Sequence, residues 1–365
     1  MGSSALLIVF IAATAHGASI SRPDSEKQTQ VFQRLWNDDF VWKFDDLPTT
    51  GDVPKHRIPY SGYIYLDKLG GTSEVLRKYD LAVNRNRSLP ATSWEQSDTA
   101  EARGSGRGLA SLFARPIDWH GHCNGWAAAA VRHAEPEQAV SAYGVEFTPA
   151  DIKGLLAEVY MYNSTEMLAG YESSLNPGTL HAILANWIGR GSHPVIMDSD
   201  PGKEKWNYPI YSFASSFGKH SSRLVEVRTN IAFAIDSEDE EYDRSPRQHE
   251  LKSFHYMLEL NARGEISGGH YLRDSDKIDF VWVPLKPQNP GEEGNQNGNP
   301  YIDVEKVLAI WRRSVSTEKR RQWVIVDPTA LDRAVEVDDP TALLPKNIRI
   351  APVRTAASAD GRVRG

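Results

Sequence analysis

The chain has 365 residues, of which 40% are hydrophobic, 10% aromatic and 24% charged, a composition typical of a folded protein with a substantial core. Its formal net charge of −7 argues against a nucleic-acid partner, because such surfaces need clustered lysine and arginine. A single cysteine excludes an intrachain disulfide framework and a zinc site built on paired cysteines.

The first residues predict export. Residues 1–18 combine an apolar run with small residues at its end, which is the layout of a cleavable signal peptide. The run is shorter than a spanning helix, and no later segment is long and apolar enough to cross a bilayer. We therefore expect a secreted protein with no membrane contact after cleavage.

Residues 19–108 mix aromatic and acidic residues with Pro and Gly, and predict an extended N-terminal arm packed over a core.

Helices are predicted next. An alanine-rich run after residue 124 predicts a short helix with Cys123 in its first turn or directly before it. A second helix is predicted over residues 149–160, with Thr148 as its cap. A third is predicted over residues 176–188, where Asn176 is the cap and proline occupies the first helical position.

Beyond residue 191 the apolar pattern shifts towards a period of two, which predicts β-strands. Helices followed by an antiparallel sheet indicate an α+β fold, with the cysteine helix packed on the sheet. The predicted strands cover residues 193–198, 208–213, 225–235, 255–260, 265–272 and 279–284.

The last part of the chain divides by composition. Residues 285–300 are rich in Gly, Pro and Asn and predict a flexible linker or lid. Residues 301–350 predict a C-terminal extension that contains a helix over 302–313 and a strand over 322–327. Residues 351–365 predict a disordered tail.

Cys123 has the surroundings of a nucleophile. A thiolate is stabilised by a helix N-terminus or a nearby imidazolium, and His120 and His122 flank this thiol. Gly121 and Gly125 would let backbone groups approach a substrate, and N–H groups at the helix start would stabilise an oxyanion. The alternative is a buried structural cysteine, which is the usual fate of a free thiol.

A nucleophilic cysteine needs a base on another element, and the base needs an orienting partner. His181 followed by Asp198 is the first candidate pair. His255 with Asp279 is the second, because its offset from the cysteine is close to the papain type. His193 is a third candidate base, and the residues alone leave the choice open.

Two acidic segments are candidate cation sites. Residues 198–204 contain three carboxylates, but their spacing is not that of an EF-hand loop. Residues 236–243 are also acid-rich and predict a solvated loop. Neither segment identifies metal ligands.

Several motifs resemble the transglutaminase elicitor family, and the resemblance spans roughly residues 57–284. They are GHCNGWAAAA at 121–130, ADIKGLL at 150–156, LHAILANWIGR at 180–190, WNYP at 206–209 and ISGGHY at 266–271 followed by DFVW. The resemblance implies a papain-like cysteine-enzyme domain over residues 109–284 and calcium-dependent acyl transfer. It carries Cys123 over as the nucleophile, and the third motif favours His181 with Asp198 as its base and partner.

The implied function is a secreted protein-glutamine gamma-glutamyltransferase whose partners are proteins that carry glutamine and lysine. The thiolate attacks the glutamine carboxamide, an imidazolium protonates the departing ammonia, and the thioester passes its acyl group to a lysine amine or to water. Trp119, Trp126 and Trp206 are predicted to wall the substrate site against water, or else to be core aromatics. A secreted papain-like cysteine protease and a non-catalytic elicitor or binding protein on the same fold are the alternatives.

Overall fold

The computed structural model describes residues 18–100, 117–170, 175–239, 243 and 247–326. The predicted signal peptide lies outside these residues except for its last position, and the predicted tail over 351–365 lies wholly outside them. Among the described residues, no helix is both long and apolar enough to cross a membrane.

The helices confirm most of the predicted ones and add several in the N-terminal region. They are α1 (Arg22–Trp36), α2 (Ser73–Tyr79), α3 (Pro90–Asp98), α4 (Cys123–Arg132), α5 (Pro149–Met161), α6 (Pro177–Ile183), α7 (Val304–Ser314) and α8 (Thr317–Val326). A π-helical turn, Leu184–Arg190, continues α6 directly.

Two predictions of secondary structure are wrong. The N-terminal arm is not simply extended, since α1 occupies 15 of its residues and begins at a Ser21 cap that accepts from the Asp24 N–H at 3.2 Å. The strand predicted over residues 322–327 is helical as far as it is described, because it continues a run of good helix formers that starts at Thr317. The buried indole of Trp323 then packs under the guanidinium of Arg57, 4.4 Å from the ring centroid.

Nine strands of the described residues form one antiparallel sheet, in the order β1-β10-β9-β8-β7-β6-β11-β5, with β2 pairing along β7. β3 and β4 form a separate hairpin. This mixture of helices and antiparallel sheet confirms the α+β fold class, whereas the papain-like detail stays a prediction. The strands are β1 (Ala18–Ser19), β2 (Thr50–Asp52), β3 (Val140–Ala142), β4 (Val145–Phe147), β5 (Thr165–Ala169), β6 (Val195–Asp198), β7 (Asn207–Lys219), β8 (Leu224–Ala234), β9 (His249–Leu260), β10 (Ile266–Tyr271) and β11 (Val281–Pro284).

The sheet has two covered faces, because successive side chains of a strand point in opposite directions. On β6, Ile196 joins a hydrophobic cluster with α4, α5 and α7, whereas Val195 and Met197 join a second cluster with α1, α6 and the π-helical turn. We call the first side the cysteine face and the second the opposite face. Helices α4 and α6 are therefore separated by the sheet.

The segment over residues 285–300 has no regular helix or strand, yet it is part of the packed structure. Asn295 and Asn299 are buried, and the Asn299 side-chain amide donates to the Ala91 carbonyl at 3.0 Å. Asn289 Oδ1 accepts from the first N–H of α7 at 3.1 Å. These contacts anchor the segment at several points, which a flexible linker would not need, and the alternative of a lid stays a prediction.

Candidate active site

Cys123 is the first residue of α4, and 7% of it is exposed. Its thiol donates to the Lys205 carbonyl at 3.4 Å. The side-chain amide of Asn207, at the start of β7, donates to the sulfur at 3.5 Å. The carbonyl oxygen of that amide accepts from the Trp282 indole at 2.8 Å, which holds the amide with its nitrogen towards the sulfur.

Two glycines beside the cysteine permit close packing of the chain on itself. A Cβ at Gly121 would lie 2.6 Å from the carbonyl oxygen of Ile64, which also accepts from the His122 N–H. A Cβ at Gly125 would lie 2.2 Å from the carbonyl oxygen of Ala157 on α5. Both glycines therefore face protein backbone. They were predicted to let backbone groups approach a substrate, and these contacts do not show that role.

The thiol is buried among groups that shift its ionisation. Burial raises the pKa of Cys123, and the nearby Asp198 carboxylate adds to this effect. The side-chain amide and backbone N–H of Asn207 and the backbone N–H of Asn124 act in the opposite direction. Because the net direction is upward, the thiol needs a base before it can act as a nucleophile.

A cavity of about 500 Å³ opens onto Cys123. Aromatic side chains from three parts of the chain line it: Trp119 and His120, then Tyr162, then Phe280 and Trp282. Carboxylates also line it, from Asp67 and Asp98. Lys205 lines it as well, so the cavity combines apolar walls with charged groups of both signs.

The three tryptophans predicted to bind substrate differ in placement. Trp119 lines the cavity. Trp126 is 1% exposed and packs in the core near Tyr208, so its prediction as a substrate residue is not supported. Trp206 lies outside the lining and donates its indole N–H to Glu204 at 3.1 Å. Phe280 and Trp282 were not predicted as lining residues, although both lie in the DFVW motif.

His181 lies on the opposite face of the sheet. Its Nδ1 shares a 2.8 Å hydrogen bond with the Tyr256 hydroxyl, and its ring stacks on Phe44 with centroids 5.6 Å apart. Burial lowers the pKa of His181 to about 4. The sheet stands between His181 and Cys123. The prediction that His181 serves as the base for this thiol is therefore wrong.

The second predicted pair is not formed either. His255 lies on β9, where Nδ1 is 2.5 Å from Asp274 and Nε2 is 2.8 Å from Glu226. Asp279 pairs instead with the Lys205 ammonium at 2.5 Å. Separation along the chain suggested His255, but the strand order puts β9 two strands away from β7, whose Asn207 contacts the sulfur.

Two further histidines differ in their position relative to Cys123. His193 donates from Nδ1 to the Pro194 carbonyl at 2.6 Å and packs between Trp36 and Trp187 on the opposite face. Of the histidines that the structure describes, His120 is the one that lines the cavity with Cys123.

Asp198 does lie on the cysteine face, without a histidine. It is paired with Asn207 across β6 and β7, so the two side chains point to the same side. Its Oδ1 accepts from the Trp206 N–H at 2.9 Å, and its Oδ2 lies 3.1 Å from the Lys205 ammonium. Burial raises the pKa of Asp198, although the N–H and the ammonium oppose that shift.

A comparison with protein families decides the family of the chain. The family model described as "Transglutaminase elicitor" matches residues 91–171 and 168–313, which together cover more than half of the sequence. The chain belongs to the transglutaminase elicitor family. The matched ranges include the cysteine helix, the lining residues of the cavity from residue 98 onwards, and strands β3 to β11, so the resemblance drawn from the motifs is confirmed.

A solved structure supports the fold of this transglutaminase elicitor family member. The chain is similar to the crystal structure of the GP42 transglutaminase from Phytophthora sojae, with a TM-score of 0.65 and 20% identity over 81% of this chain and 99% of that chain. At that identity the likeness establishes the fold alone. No curated protein sequence matches the chain.

Three of the carboxylates that the structure describes in the two acidic segments are held by protein donors or a lysine, so these three do not fit the calcium that the family resemblance implies. The buried Asp198 carboxylate already faces the Lys205 ammonium, which occupies the cation position there. Asp236 accepts from the Tyr208 hydroxyl at 3.0 Å, and Asp243 accepts from the Ala150 N–H in the first turn of α5 at 3.2 Å. Because these oxygens are engaged with protein donors and cations, calcium stays a prediction without a site, and no chemical step is derived through it.

Proposed function

We propose that this protein transfers the acyl group of a protein glutamine to a primary amine through a thioester at Cys123. The observation that carries the proposal is the placement of this single thiol at the first residue of α4, on the floor of an open cavity and within reach of the Asn207 amide. Membership of the transglutaminase elicitor family supports the same chemistry. We also propose that the fold is papain-like.

The steps follow from the groups around the sulfur. The thiol proton passes to the imidazole of His120, and the thiolate attacks the carboxamide carbon of glutamine. The Asn124 N–H and the Asn207 amide, which stabilise the thiolate, are also placed to donate to the oxyanion. Ammonia leaves with the proton from the imidazolium, and a thioester remains. An amine then attacks the thioester and restores the thiol.

The cavity suits the two substrates that this reaction needs. Glutamine and lysine side chains have hydrocarbon stems, which the aromatic walls of Trp119, Phe280 and Trp282 would shield from water. The carboxylates of Asp67 and Asp98 would attract the ammonium form of the acceptor amine. Proteins that carry glutamine and lysine are therefore the proposed partners.

A second candidate is a non-catalytic elicitor or binding protein on the same fold. It is favoured by one observation: within the described residues no histidine is hydrogen-bonded to the thiol, and burial raises the thiol pKa. A cysteine protease uses the same thioester route and is separated from the transferase by its products.

Export is proposed with the function. The apolar run before residue 18 motivates it, and sequencing the N-terminus of protein recovered from the medium of an expressing culture tests it. A mature protein that begins near residue 18 or 19 supports export, whereas retention of the first residues inside the cell contradicts it.

The test of the activity is incorporation of a fluorescent primary amine into a glutamine-rich protein, with and without calcium. We expect incorporation by the wild type and none by Cys123→Ala. Release of ammonia without incorporation would indicate an amidase, and peptide cleavage would indicate a protease. If neither product forms and no thioester can be trapped, the result would support the non-catalytic binding protein.

Histidine variants sharpen this test. His120→Asn should lower the rate of amine incorporation by about two orders of magnitude, the usual contribution of a general base. His181→Gln is the matched control because His181 lies across the sheet, and it should retain the wild-type rate. Loss of activity in folded His181→Gln, with His120→Asn unaffected, would contradict the proposed base.

A further inference from the structure

A second cluster of ionisable side chains lies buried beside the candidate active site. His122 precedes the cysteine, but its ring turns away from the cavity and towards Glu95 of α3 and Glu158 of α5. Side-chain exposure is 2% for His122, 1% for Glu95 and 2% for Glu158. The acyl-transfer steps make no use of this cluster.

The three ligand-type atoms are spaced as around a metal ion. His122 Nε2 lies 3.1 Å from Glu158 Oε2 and 3.5 Å from Glu95 Oε1, and one atom of each residue lies within 4.8 Å of the other two. Two ligands bonded at about 2.1 Å to a tetrahedral Zn²⁺ are separated by about 3.4 Å. The observed spacing therefore needs little adjustment to hold such an ion.

A bound cation would also compensate the buried carboxylates of the cluster. Two carboxylates this deeply buried need compensation, because an unpaired buried charge is strongly unfavourable. No lysine or arginine within the described part of the chain pairs with either glutamate. An imidazolium would balance one carboxylate, whereas a divalent ion bound by neutral imidazole balances both.

Neighbouring groups orient the three side chains as outer-shell partners orient metal ligands. The Thr72 N–H donates to Glu95 Oε1 at 2.9 Å, and the Thr72 hydroxyl donates to Glu158 Oε2 at 2.7 Å. His122 Nδ1 has no hydrogen-bond partner, and it faces the Asp67 carboxylate at 3.9 Å. Hydrogen-bonded carboxylates, and a carboxylate behind the imidazole, are typical of metal sites.

We propose that Glu95, His122 and Glu158 bind one divalent transition-metal ion of the zinc class. One imidazole and two carboxylates suit such an ion better than calcium, which prefers oxygen ligands in greater number. The ion would join α3, α5 and the residue that precedes α4, so it would fix the start of the cysteine helix. This role is separate from acyl transfer and holds whether or not the protein is an enzyme.

The test measures metal content and needs no enzymatic assay. The full chain, free of any histidine tag, is stripped with a chelator, reloaded with Zn²⁺, passed through a desalting column and analysed by mass spectrometry of metals. We expect one equivalent of zinc per chain, retained against excess calcium. Retention of no zinc, or displacement of the zinc by calcium, would overturn the proposal.

Matched variants locate the ion. Glu158→Gln should weaken zinc binding at least about tenfold, because it removes a charged ligand with almost no change of shape. Cys123→Ser and His255→Gln are the controls, since one removes the nearby thiol and the other removes a buried histidine that is also flanked by two carboxylates. Full retention by Glu158→Gln, or loss by either control, would overturn the assignment.

A measurement on the wild type covers the case in which Glu158→Gln does not fold. Co²⁺ loaded in place of zinc should give visible d–d absorption bands without a thiolate-to-cobalt charge-transfer band, because the ligands are nitrogen and oxygen. Absence of the d–d bands, or presence of the thiolate band, would contradict the site.

Discussion

The side-chain amide of Asn207 lies 3.5 Å from the sulfur of Cys123. The two residues are 84 positions apart and meet because the start of β7 passes under the first turn of α4. This hydrogen bond lowers the pKa of a thiol whose burial raises it. Its geometry depends on Trp282, which holds the other end of the amide.

Removal of this amide should slow the chemistry of the thiol. We expect Asn207→Leu to lower the rate of Cys123 alkylation by iodoacetamide about tenfold at fixed pH, since a hydrogen bond to a charged group contributes about 1.5 kcal/mol. Asn230→Leu changes a surface asparagine that bonds to Ser253 and should leave the rate unaltered. An equal or faster rate in folded Asn207→Leu would show that the amide does not stabilise the thiolate.

The ammonium of Lys205 compensates the fully buried carboxylate of Asp198, 3.1 Å away. Lys205→Met should lower the free energy of unfolding by about 2 kcal/mol, less than for a wholly buried pair because the lysine is partly exposed. Urea unfolding measures this loss, provided that the free energy of unfolding falls with urea concentration at the same slope in both proteins.

The control for the buried pair is an exposed one. Lys219 and Asp45 form an ion pair whose side chains are 44% and 59% exposed. Lys219→Met should change the free energy of unfolding by less than about 0.5 kcal/mol. Equal changes in the two lysine variants would contradict a special role for Lys205.

The buried His181 should make the protein less stable in acid. Burial lowers its pKa from 6.5 to about 4, so between these values the unfolded chain binds a proton that the folded chain does not. Stability is therefore complete above about pH 6.5 and falls as the pH decreases towards 4, by at most about 3 kcal/mol.

A variant isolates this contribution. His181→Gln keeps a polar partner for Tyr256 but cannot titrate, so its free energy of unfolding should vary less steeply than that of the wild type between pH 6.5 and 4. Above that window the two proteins should differ by a constant amount. Parallel profiles throughout the window would show that His181 is not the group responsible.

Gly125 should be intolerant of a side chain even though it lies in a helix. Alanine has the higher helix propensity by about 1 kcal/mol. A Cβ at Gly125 would nevertheless lie 2.2 Å from the backbone of α5, so Gly125→Ala should lower the free energy of unfolding by about 2 kcal/mol. Gly202→Ala, where nothing lies within 4 Å, should change it by less than about 0.5 kcal/mol. A stabilised Gly125→Ala would disprove the close contact.

Local signals predicted the elements that carry the site. The cap at Thr148, the apolar alternation of β8 and the short apolar runs of β6 and β11 act over neighbouring residues, so the sequence revealed them. The same method failed for α8, where β-branched residues at the end of a helix look like a strand. Composition predicted a flexible linker or lid before α7, because it does not report contacts such as that of Asn299 with the distant Ala91.

The sequence by itself determined the α+β class, the family, and a place for Cys123 in or directly before the first turn of a helix, since each depends on motifs contained within a short stretch. Only the tertiary structure decided which residues meet that cysteine. It brought Asn207 and Trp282 to the sulfur and left His181 across the sheet. The reason is physical: strand order and the two faces of the sheet arise from packing between distant segments, and spacing along the chain does not specify them.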